Sequence, residues 1–384
     1  MPRICIHFHI HVPLPLNSFS FFDLGTHKSY IDHQSSIDKI QRFTIGTLIP
    51  SIRVLQNLIE RNGDKFKFAL SISGTTLDLM DVQAPDGLKA LQQLTQTGGV
   101  EWLNYPYYHS LSFLFNRKEF SRQLALQRNR LEKFFGQVPQ VLCNTHLIYN
   151  NYLAYYAKMH QYKGILCEGV PALLAPEIEN ELCKPTDVDG VSLLLRHAQL
   201  SEDISFRFSD TEWDSFPLTA ANYAFWLSQA RGSLVTLSMD FSTFEKHASR
   251  SLLSFFNYLP EEVWKYEGMT FLTPSEAISS LQARGTYNAF DSISWAWPDR
   301  GIRSWQSNPM QREALEKIYS LSDEVLQHSN KKILRNWSIL QEADIFTRMK
   351  EIHSPSEDLL GSSYDIYSSF MNMLSDLKLQ LRTE

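Results

Sequence analysis

The stretch Gly164-Ile165-Leu166-Cys167-Glu168-Gly169 is an apolar run that presents one carboxylate and then ends at a glycine. A second run, Leu234-Val235-Thr236-Leu237-Ser238-Met239-Asp240, has the same design and also ends on one acid. Short apolar runs of this kind are typical of strands that are buried in the core of a parallel sheet. The two runs therefore predict two core strands, each with an acid at its carboxyl end.

The residues around these runs alternate between strand and helix periodicity. Apolar and histidine side chains alternate from Arg3 to Val12, and a helical pattern runs from Pro50 to Gly63. The same change of period recurs, with strands predicted at 66–72, 100–103 and 138–143 and helices around 88–94 and 120–134. Repeated alternation predicts an α/β fold with a parallel sheet, most economically a closed β/α barrel.

The last part of the chain has a different pattern. Apolar residues recur at helical spacing from Met310 to Val325, from Ile333 to Leu340 and from Tyr367 to Leu377, and strand signals are nearly absent. We therefore predict two parts, a catalytic barrel over residues 1–290 and a C-terminal helical subdomain over residues 291–384.

Composition limits the classes of function. The chain has 384 residues, of which 43% are hydrophobic and 20% charged, so it can bury a large core. Its net charge of −6 argues against a nucleic-acid partner, because binding phosphates requires a basic surface. We expect no signal peptide, because histidines interrupt the apolar residues near the N-terminus, and no membrane span.

The four cysteines, Cys5, Cys143, Cys167 and Cys183, lack the close pairing of a zinc site. The first three fall in predicted buried strands, so reduced core thiols are expected. That state indicates a cytoplasmic protein.

Two acids at the carboxyl ends of strands suit a retaining glycoside hydrolase. In that reaction one carboxylate attacks the sugar, and the other protonates the leaving oxygen and later activates water. The carboxyl ends of barrel strands are where functional side chains gather, and Glu101, Glu168 and Asp240 all fall there.

Five ordered motifs extend this interpretation. They are His11-Val12-Pro13, Gly99-Val100-Glu101-Trp102-Leu103 with Tyr107-Tyr108-His109-Ser110-Leu111-Ser112, Cys167-Glu168-Gly169, Met239-Asp240-Phe241-Ser242-Thr243-Phe244-Glu245-Lys246-His247, and Asn308-Pro309-Met310-Gln311. In order and content they resemble the motifs of glycoside hydrolase family 57, in its α-amylase branch. The stretches at 200–209 and 273–277 also resemble that branch, and the similarity runs from about residue 4 to about residue 380.

The resemblance implies a retaining hydrolase of α-1,4-linked glucans such as starch, glycogen and maltooligosaccharides, on an incomplete (β/α)7 barrel with a helical C-terminal region. It implies no metal and no cofactor. Glu168 matches the nucleophile, Asp240 matches the general acid/base, and His11, Glu101 and His109 match positions around the reacting sugar. Further substrate-binding candidates are Asp203, Arg207, His247, Trp297 and Trp305.

Several candidates also have a plainer interpretation. Glu101 would equally well anchor a loop by hydrogen bonding. Asp203 and Arg207 suit a substrate clamp or an ordinary ion pair. Trp297 and Trp305 suit core packing or a stacking platform for sugar rings.

Three alternatives remain open. The first is a 4-α-glucanotransferase. The second is a glucan-binding relative with little turnover, suggested by Ser242 where the family usually has an acid. The third is a metal-dependent deacetylase or amidohydrolase that uses His7, His9 and His11. The chain also reads Asn144-Thr145-His146 where relatives commonly have a glutamate at the third position.

Overall fold

A computed structural model describes residues 1–246, 249–296, 298–350 and 362–383 of the protein. Within these residues the strands are β1 Arg3–Ile10, β2 Phe68–Ile72, β3 Val100–Trp102, β4 Val141–Cys143, β5 Gly164–Gly169, β6 Leu182–Pro185, β7 Ser192–His197, β8 Leu234–Asp240 and β9 Thr286–Tyr287. Both apolar runs that end on an acid are strands, β5 and β8, as predicted.

Seven strands lie side by side in the order β3-β2-β1-β8-β7-β5-β4, and neighbours run parallel. The two ends of this sheet meet at Asn104, which follows β3. Its backbone N donates to the carbonyl of Val141 at 2.9 Å, and its carbonyl accepts from the backbone N of Cys143 at 2.8 Å. These bonds close the sheet into a seven-stranded barrel, which confirms the predicted fold class. Outside the barrel, β6 pairs antiparallel with β7 and parallel with β9.

The helices are α1 His33–Phe43, α2 Ile49–Asn62, α3 Gly74–Gln83, α4 Pro85–Gln96, α5 Ser112–Phe115, α6 Arg117–Phe135, α7 Asn151–Met159, α8 Ala198–Glu202, α9 Ala220–Gln229, α10 Thr243–Lys246, α11 Ser249–Val263, α12 Pro274–Ser280, α13 Arg303–Gln306, α14 Pro309–Ser320, α15 Ser322–Gln327, α16 Lys331–Ile339, α17 Ala343–Arg348 and α18 Ser363–Thr383. The helix predicted to begin at Pro50 is continuous with α1 through a wider π turn at Thr44–Leu48. Pro50 has no N–H, so the carbonyl of Gly46, four residues earlier, has no helical donor. The wide turn lies at this position.

The alternation in β1 divides its side chains between two environments. Ile4, Ile6, Phe8 and Ile10 are buried against the surrounding helices. The opposite face contributes Cys5 to a cluster with alternate residues of β2, β4, β5 and β7, which fills one end of the barrel interior with apolar atoms. His7 and His9 follow on that inner face, so the interior changes from apolar to polar towards the carboxyl ends of the strands.

The helices from Arg303 to Arg348 and α18 pack together at the C-terminal side of the chain. The predicted helical pattern is confirmed there, and the described residues after β9 contain no further strand. The division at residue 290 stays a prediction. All four cysteines are buried and unpaired. Among the described residues, no helix is both long enough and apolar enough to cross a bilayer.

Candidate active site

Four histidines meet at the carboxyl end of β1, and we call His9, His11, His109 and His146 the histidine cluster. The rings of His11 and His109 are stacked, with centroids 3.9 Å apart and planes 3° from parallel. His9 stacks on Tyr105 at 4.1 Å and lies 5.4 Å from His109. His109 Nε2 lies 3.2 Å from His146 Nε2. The cluster therefore brings together residues from β1 and from the loops that follow β3 and β4.

His11 is the charged member of the cluster. Its Nδ1 lies 2.8 Å from Ser73 Oγ, and its Nε2 lies 3.1 Å from Glu342 Oε1 and 3.4 Å from Asp344 Oδ2. Burial disfavours the charge, but the hydrogen bonds that His11 donates to Asp344 and Glu342 outweigh it and raise the pKa of His11 to about 9. The site therefore holds an imidazolium that two acids stabilise, Glu342 just before α17 and Asp344 in its first turn.

The other members of the cluster are neutral. Burial lowers the pKa of His9 and His109 well below the ordinary value, and the nearby His11 adds to that effect. Burial also lowers the pKa of His146 to about 4. Neutral imidazoles can donate one hydrogen bond and accept another, which suits the recognition of sugar hydroxyls.

His11, His109 and Asp344 have potential ligand atoms within 4.8 Å of one another, so we tested their fit to a metal ion. A histidine ligand binds through a lone pair that lies in its ring plane. The stacked, parallel rings of His11 and His109 direct these lone pairs side by side rather than towards one point. His7 does not join the set, because its Nδ1 lies 2.8 Å from Ser238 Oγ and its Nε2 lies 2.9 Å from Ser71 Oγ. The arrangement suits hydrogen bonding better than metal binding.

Asp240 ends β8 directly beside the histidine cluster. It pairs in register with His9 of β1, and both residues line one small pocket with His109, His146 and Trp295. The cavity volume is about 20 Å³, enough for about one water molecule. A larger cavity of about 670 Å³ lies between residues 14–37, α3 and α16, and neither catalytic candidate lines it. A glucosyl ring therefore needs more room beside Asp240 than this conformation provides.

Glu168 is the last residue but one of β5 and belongs to a group of four charges. We call this group the ion-pair network: Glu168, Arg196, Glu202 and Arg300. Arg196 Nη1 lies 3.1 Å from each carboxylate oxygen of Glu168, and Arg300 Nη1 lies 2.8 Å from Oε1. Glu202 Oε1 accepts from Arg300 at 2.5 Å and lies 3.7 Å from Arg196. Burial raises the pKa of Glu168, and the two guanidinium groups oppose that rise.

The two acids lie on the strands either side of β7, but at different positions along the strand direction. Glu168 pairs in register with Arg196, which pairs with Thr236 of β8. Asp240 lies four residues beyond Thr236, which is roughly 13 Å further along the strand direction. The Arg196 side chain occupies the space between the two strands, and its Nε donates to the carbonyl of Ser238 at 2.8 Å. Arg196 thus bridges the two strands that carry the acids.

Trp295 covers this bridge. Its ring lies 5.4 Å from the guanidinium carbon of Arg196, and its Nε1 donates to His146 Nδ1 at 2.6 Å. Because Trp295 touches both the ion-pair network and the histidine cluster, the two halves of the site are continuous.

The remaining candidates lie elsewhere or outside the described residues. Glu101 faces α12, where its carboxylate accepts from the backbone N and the hydroxyl of Ser275 at 2.8 and 2.6 Å, so its contacts are those of a loop anchor. Asp203 and Arg207 form an ion pair with each other at 2.5 Å. Trp305 is 1% exposed and packs on His146, with no free face for a sugar. His247 and Trp297 lie outside the described residues.

Sequence reasoning missed several residues that the structure brings into the site: Tyr105, His146, Arg196, Glu202, Trp295, Arg300, Glu342 and Asp344. A signal existed for Arg196, because it follows the apolar run Leu193-Leu194-Leu195 just as the two acids follow theirs. Glu342 and Asp344 carried no such signal, since they come from the helical part of the chain.

A closed barrel of parallel strands, with carboxylates and histidines at the strand ends, defines the class as a β/α-barrel hydrolase. The sequence model of the family described as Glycosyl hydrolase family 57 matches residues 5–290. The chain belongs to glycosyl hydrolase family 57, and it is a glycosidase of that family. The resemblance found in the five motifs is thereby confirmed.

Similar proteins support the same grouping. A Methanocaldococcus jannaschii protein, whose name assigns it provisionally as an alpha-amylase, is 31% identical over 399 residues, covering 99% of this chain and 85% of that protein. The crystal structure of 4-alpha-glucanotransferase from Thermococcus litoralis has a TM-score of 0.73 at 12% identity. It covers 98% of this chain, and this chain spans only 60% of its length. The alpha-amylase AmyC from Thermotoga maritima has a TM-score of 0.63 at 14% identity and covers 100% of this chain and 94% of its own. At these identities the two structures show the shared fold.

Proposed function

We propose that the protein hydrolyses α-1,4-glucosidic bonds in α-glucans such as starch, glycogen and maltooligosaccharides, with retention of configuration. Glu168 would be the nucleophile and Asp240 the general acid/base. One observation carries the proposal: in a chain of this family, the acids that end β5 and β8 flank one strand, with a polar site between them. The names of the M. jannaschii relative and of AmyC support an α-glucan as the substrate.

The chemistry assigns a separate task to each acid. The ionised Glu168 attacks the anomeric carbon while Asp240 gives a proton to the departing glycosidic oxygen, which breaks the C–O bond. Asp240 then takes a proton from water, which releases the sugar from Glu168. Retention requires the two carboxyl groups to lie roughly 5 to 5.5 Å apart around the sugar. Because the two acids are offset by roughly 13 Å along the strand direction, the proposal requires their side chains to approach each other when a glucan is bound.

The histidine cluster would hold the reacting sugar. The imidazolium of His11 donates hydrogen bonds, and the neutral rings of His9 and His109 donate or accept them. Both ring nitrogens of His11 and of His109 already have partners, whereas His9 Nε2 is buried without a hydrogen-bond partner. His9 would therefore bond a hydroxyl group beside Asp240, and His11 and His109 would have to exchange a present partner to do the same.

Two α-glucan alternatives differ from hydrolysis in their products. A 4-α-glucanotransferase would pass the sugar from Glu168 to a second glucan rather than to water, and the fold of the T. litoralis enzyme accommodates that activity in a longer chain. A glucan-binding relative with little turnover is favoured by one specific observation: the side chain of Glu168 is fully buried and neutralised by two arginines.

The test is incubation with a defined maltooligosaccharide, followed by product sizing and anomer analysis. We expect shorter products of retained configuration, lost in both Glu168→Gln and Asp240→Asn. The exposed residues Glu132 and Asp291 provide matched controls, since Glu132→Gln and Asp291→Asn leave the site intact. Longer products would instead identify a transferase. Binding without any turnover by a folded wild-type protein would identify a binding relative and contradict hydrolysis.

A further inference from the structure

The loop that contributes Arg300 to the ion-pair network is closed by its own hydrogen bonds. We call residues 294–296 and 298–301 the Arg300 loop. The backbone N of Ser294 donates to the carbonyl of Arg300 at 2.8 Å, and its hydroxyl donates to the carbonyl of Gly301 at 2.5 Å. The backbone N of Arg300 donates to the carbonyl of Ala296 at 3.0 Å. A segment whose ends are bonded to each other can shift as a unit without losing these bonds. Its movement does break the two bonds that Trp295 donates to His146, from the backbone N at 3.1 Å and from Nε1 at 2.6 Å.

The two arginines that contact Glu168 are held in different ways. Arg196 belongs to core strand β7, its side chain is fully buried, and its Nε is tied to the backbone of β8. The Arg300 side chain is 15% exposed, and its ion pairs are with Glu168 and Glu202. Arg300 also has a positive φ of 54°, which is unfavourable for a residue other than glycine. The geometry therefore makes Arg196 a fixed partner and Arg300 a removable one.

Glu168 is closed off from solvent. Its side chain is fully buried, with Arg196 on one side and Arg300 on the solvent side of the carboxylate. A sugar that reaches Glu168 must therefore displace a group, and the core position of Arg196 excludes it as that group.

We propose that Arg300 blocks Glu168 in the resting enzyme and that the Arg300 loop withdraws when an α-glucan binds, while Arg196 stays to position the carboxylate. This inference rests on the proposed role of Glu168 as the nucleophile.

Withdrawal of Arg300 changes the net charge of the ion-pair network in a direction that favours the reaction. With both arginines present, two carboxylates face two guanidinium groups and the network is neutral. When Arg300 leaves, the network carries one net negative charge beside the anomeric carbon. The transition state of glycoside hydrolysis resembles an oxocarbenium ion, so this charge stabilises it. Arg196 meanwhile keeps Glu168 ionised and oriented.

The first measurement traps the nucleophile with a fluorinated α-glucosyl fluoride. The carboxylate oxygen bonds to the anomeric carbon, the C–F bond breaks and fluoride leaves, so no acid is required. We expect Arg300→Gln to be labelled at least tenfold faster than the wild-type protein, as followed by intact mass and peptide mapping. Arg53→Gln is the matched control, because Arg53 is exposed on α2 and belongs neither to the Arg300 loop nor to the ion-pair network. If the wild-type protein is labelled at Glu168, equal or slower labelling of Arg300→Gln would overturn the proposal.

The second measurement needs no catalysis. Amide hydrogen exchange in peptides over the Arg300 loop reports its opening directly. We expect exchange to accelerate several-fold in Arg300→Gln and in Glu168→Gln, but not in Arg53→Gln. Unchanged exchange in Arg300→Gln would overturn the blocking role. Accelerated exchange without labelling of Glu168 in any variant would support the loop movement and contradict the proposed nucleophile, so the two failures are distinguishable.

Discussion

The Nη1 atom of Arg196 lies 3.1 Å from both carboxylate oxygens of Glu168, and the side chains of both residues are fully buried. The same guanidinium donates from Nε to the backbone of Ser238, so one side chain joins β5 to β8 across β7. A buried carboxylate needs an opposite charge beside it, and for Glu168 the guanidinium of Arg196 on the neighbouring strand β7 provides that charge.

Replacing Arg196 should therefore destabilise the fold. Arg196→Met leaves the buried Glu168 with Arg300 as its remaining guanidinium partner, and we expect the free energy of unfolding to fall by about 3 to 5 kcal/mol. Adding Glu168→Gln to that variant removes the unmatched charge and should restore part of the loss. Urea denaturation measures both, with Arg303→Met as the surface control. A loss below about 1 kcal/mol in Arg196→Met would contradict this account.

Gly169 is required for the approach of β5 to β7. A Cβ at this position would stand 2.6 Å from the carbonyl oxygen of Arg196, a backbone atom that cannot move aside. We expect Gly169→Ala to lower the free energy of unfolding by about 1 to 3 kcal/mol, as overpacking in a core does. Gly46→Ala is the control, because a Cβ at Gly46 meets nothing within 4 Å and the residue is in a helical turn. That control should be neutral or stabilised by about 0.4 to 1 kcal/mol. Equal behaviour of the two variants in urea would refute the steric argument.

The positions of Glu168 and Asp240 were predictable from the sequence for a physical reason. A strand that is buried on both faces needs an unbroken apolar run, so the first charged residue after the run marks the strand end. The same rule applied to Leu193-Leu194-Leu195 would have found Arg196. The partners of His11 were not predictable in this way, because Glu342 lies 331 residues away in sequence and meets His11 only through packing of the helical part on the barrel. Local periodicity contains no information about such a contact.

Glu101 shows that a sequence motif can also suggest a role that the contacts of the residue do not match. Its motif suggested sugar binding, whereas its contacts indicate a structural anchor. Its carboxylate binds the backbone N and the hydroxyl of Ser275 at the start of α12. We expect Glu101→Gln to lower the free energy of unfolding by about 1 to 3 kcal/mol, since a buried donor loses its acceptor. The KM for a maltooligosaccharide should stay within about twofold of wild type. A large rise in KM with unchanged stability would instead support the binding role, and Glu132→Gln again serves as the exposed control.

The ion pairs of His11 should make stability depend on pH in a defined direction. The pKa of His11 is raised from 6.5 to about 9 in the folded protein, so its contribution is fully present below pH 6.5 and is lost as the pH rises through about 9. Burial opposes the charge of Asp344, but the hydrogen bond from His11 lowers its pKa from 3.8 to about 2, so that contribution is present above pH 3.8 and is lost as the pH falls through about 2.

The contributions of His11 and Asp344 to the free energy of unfolding are both fully present between pH 3.8 and 6.5. From pH 6.5 to 9 the folded protein keeps the His11 proton that the unfolded chain releases, so the free energy of unfolding should fall by roughly 3 kcal/mol. Urea denaturation of the wild-type protein and of His11→Gln across this range isolates the effect, because other titrating groups are common to both. The difference between the two proteins should shrink as the pH rises, whereas the exposed His33→Gln should follow the wild-type curve. A difference that stays constant from pH 6.5 to 9 would mean that His11 is not charged in the folded protein.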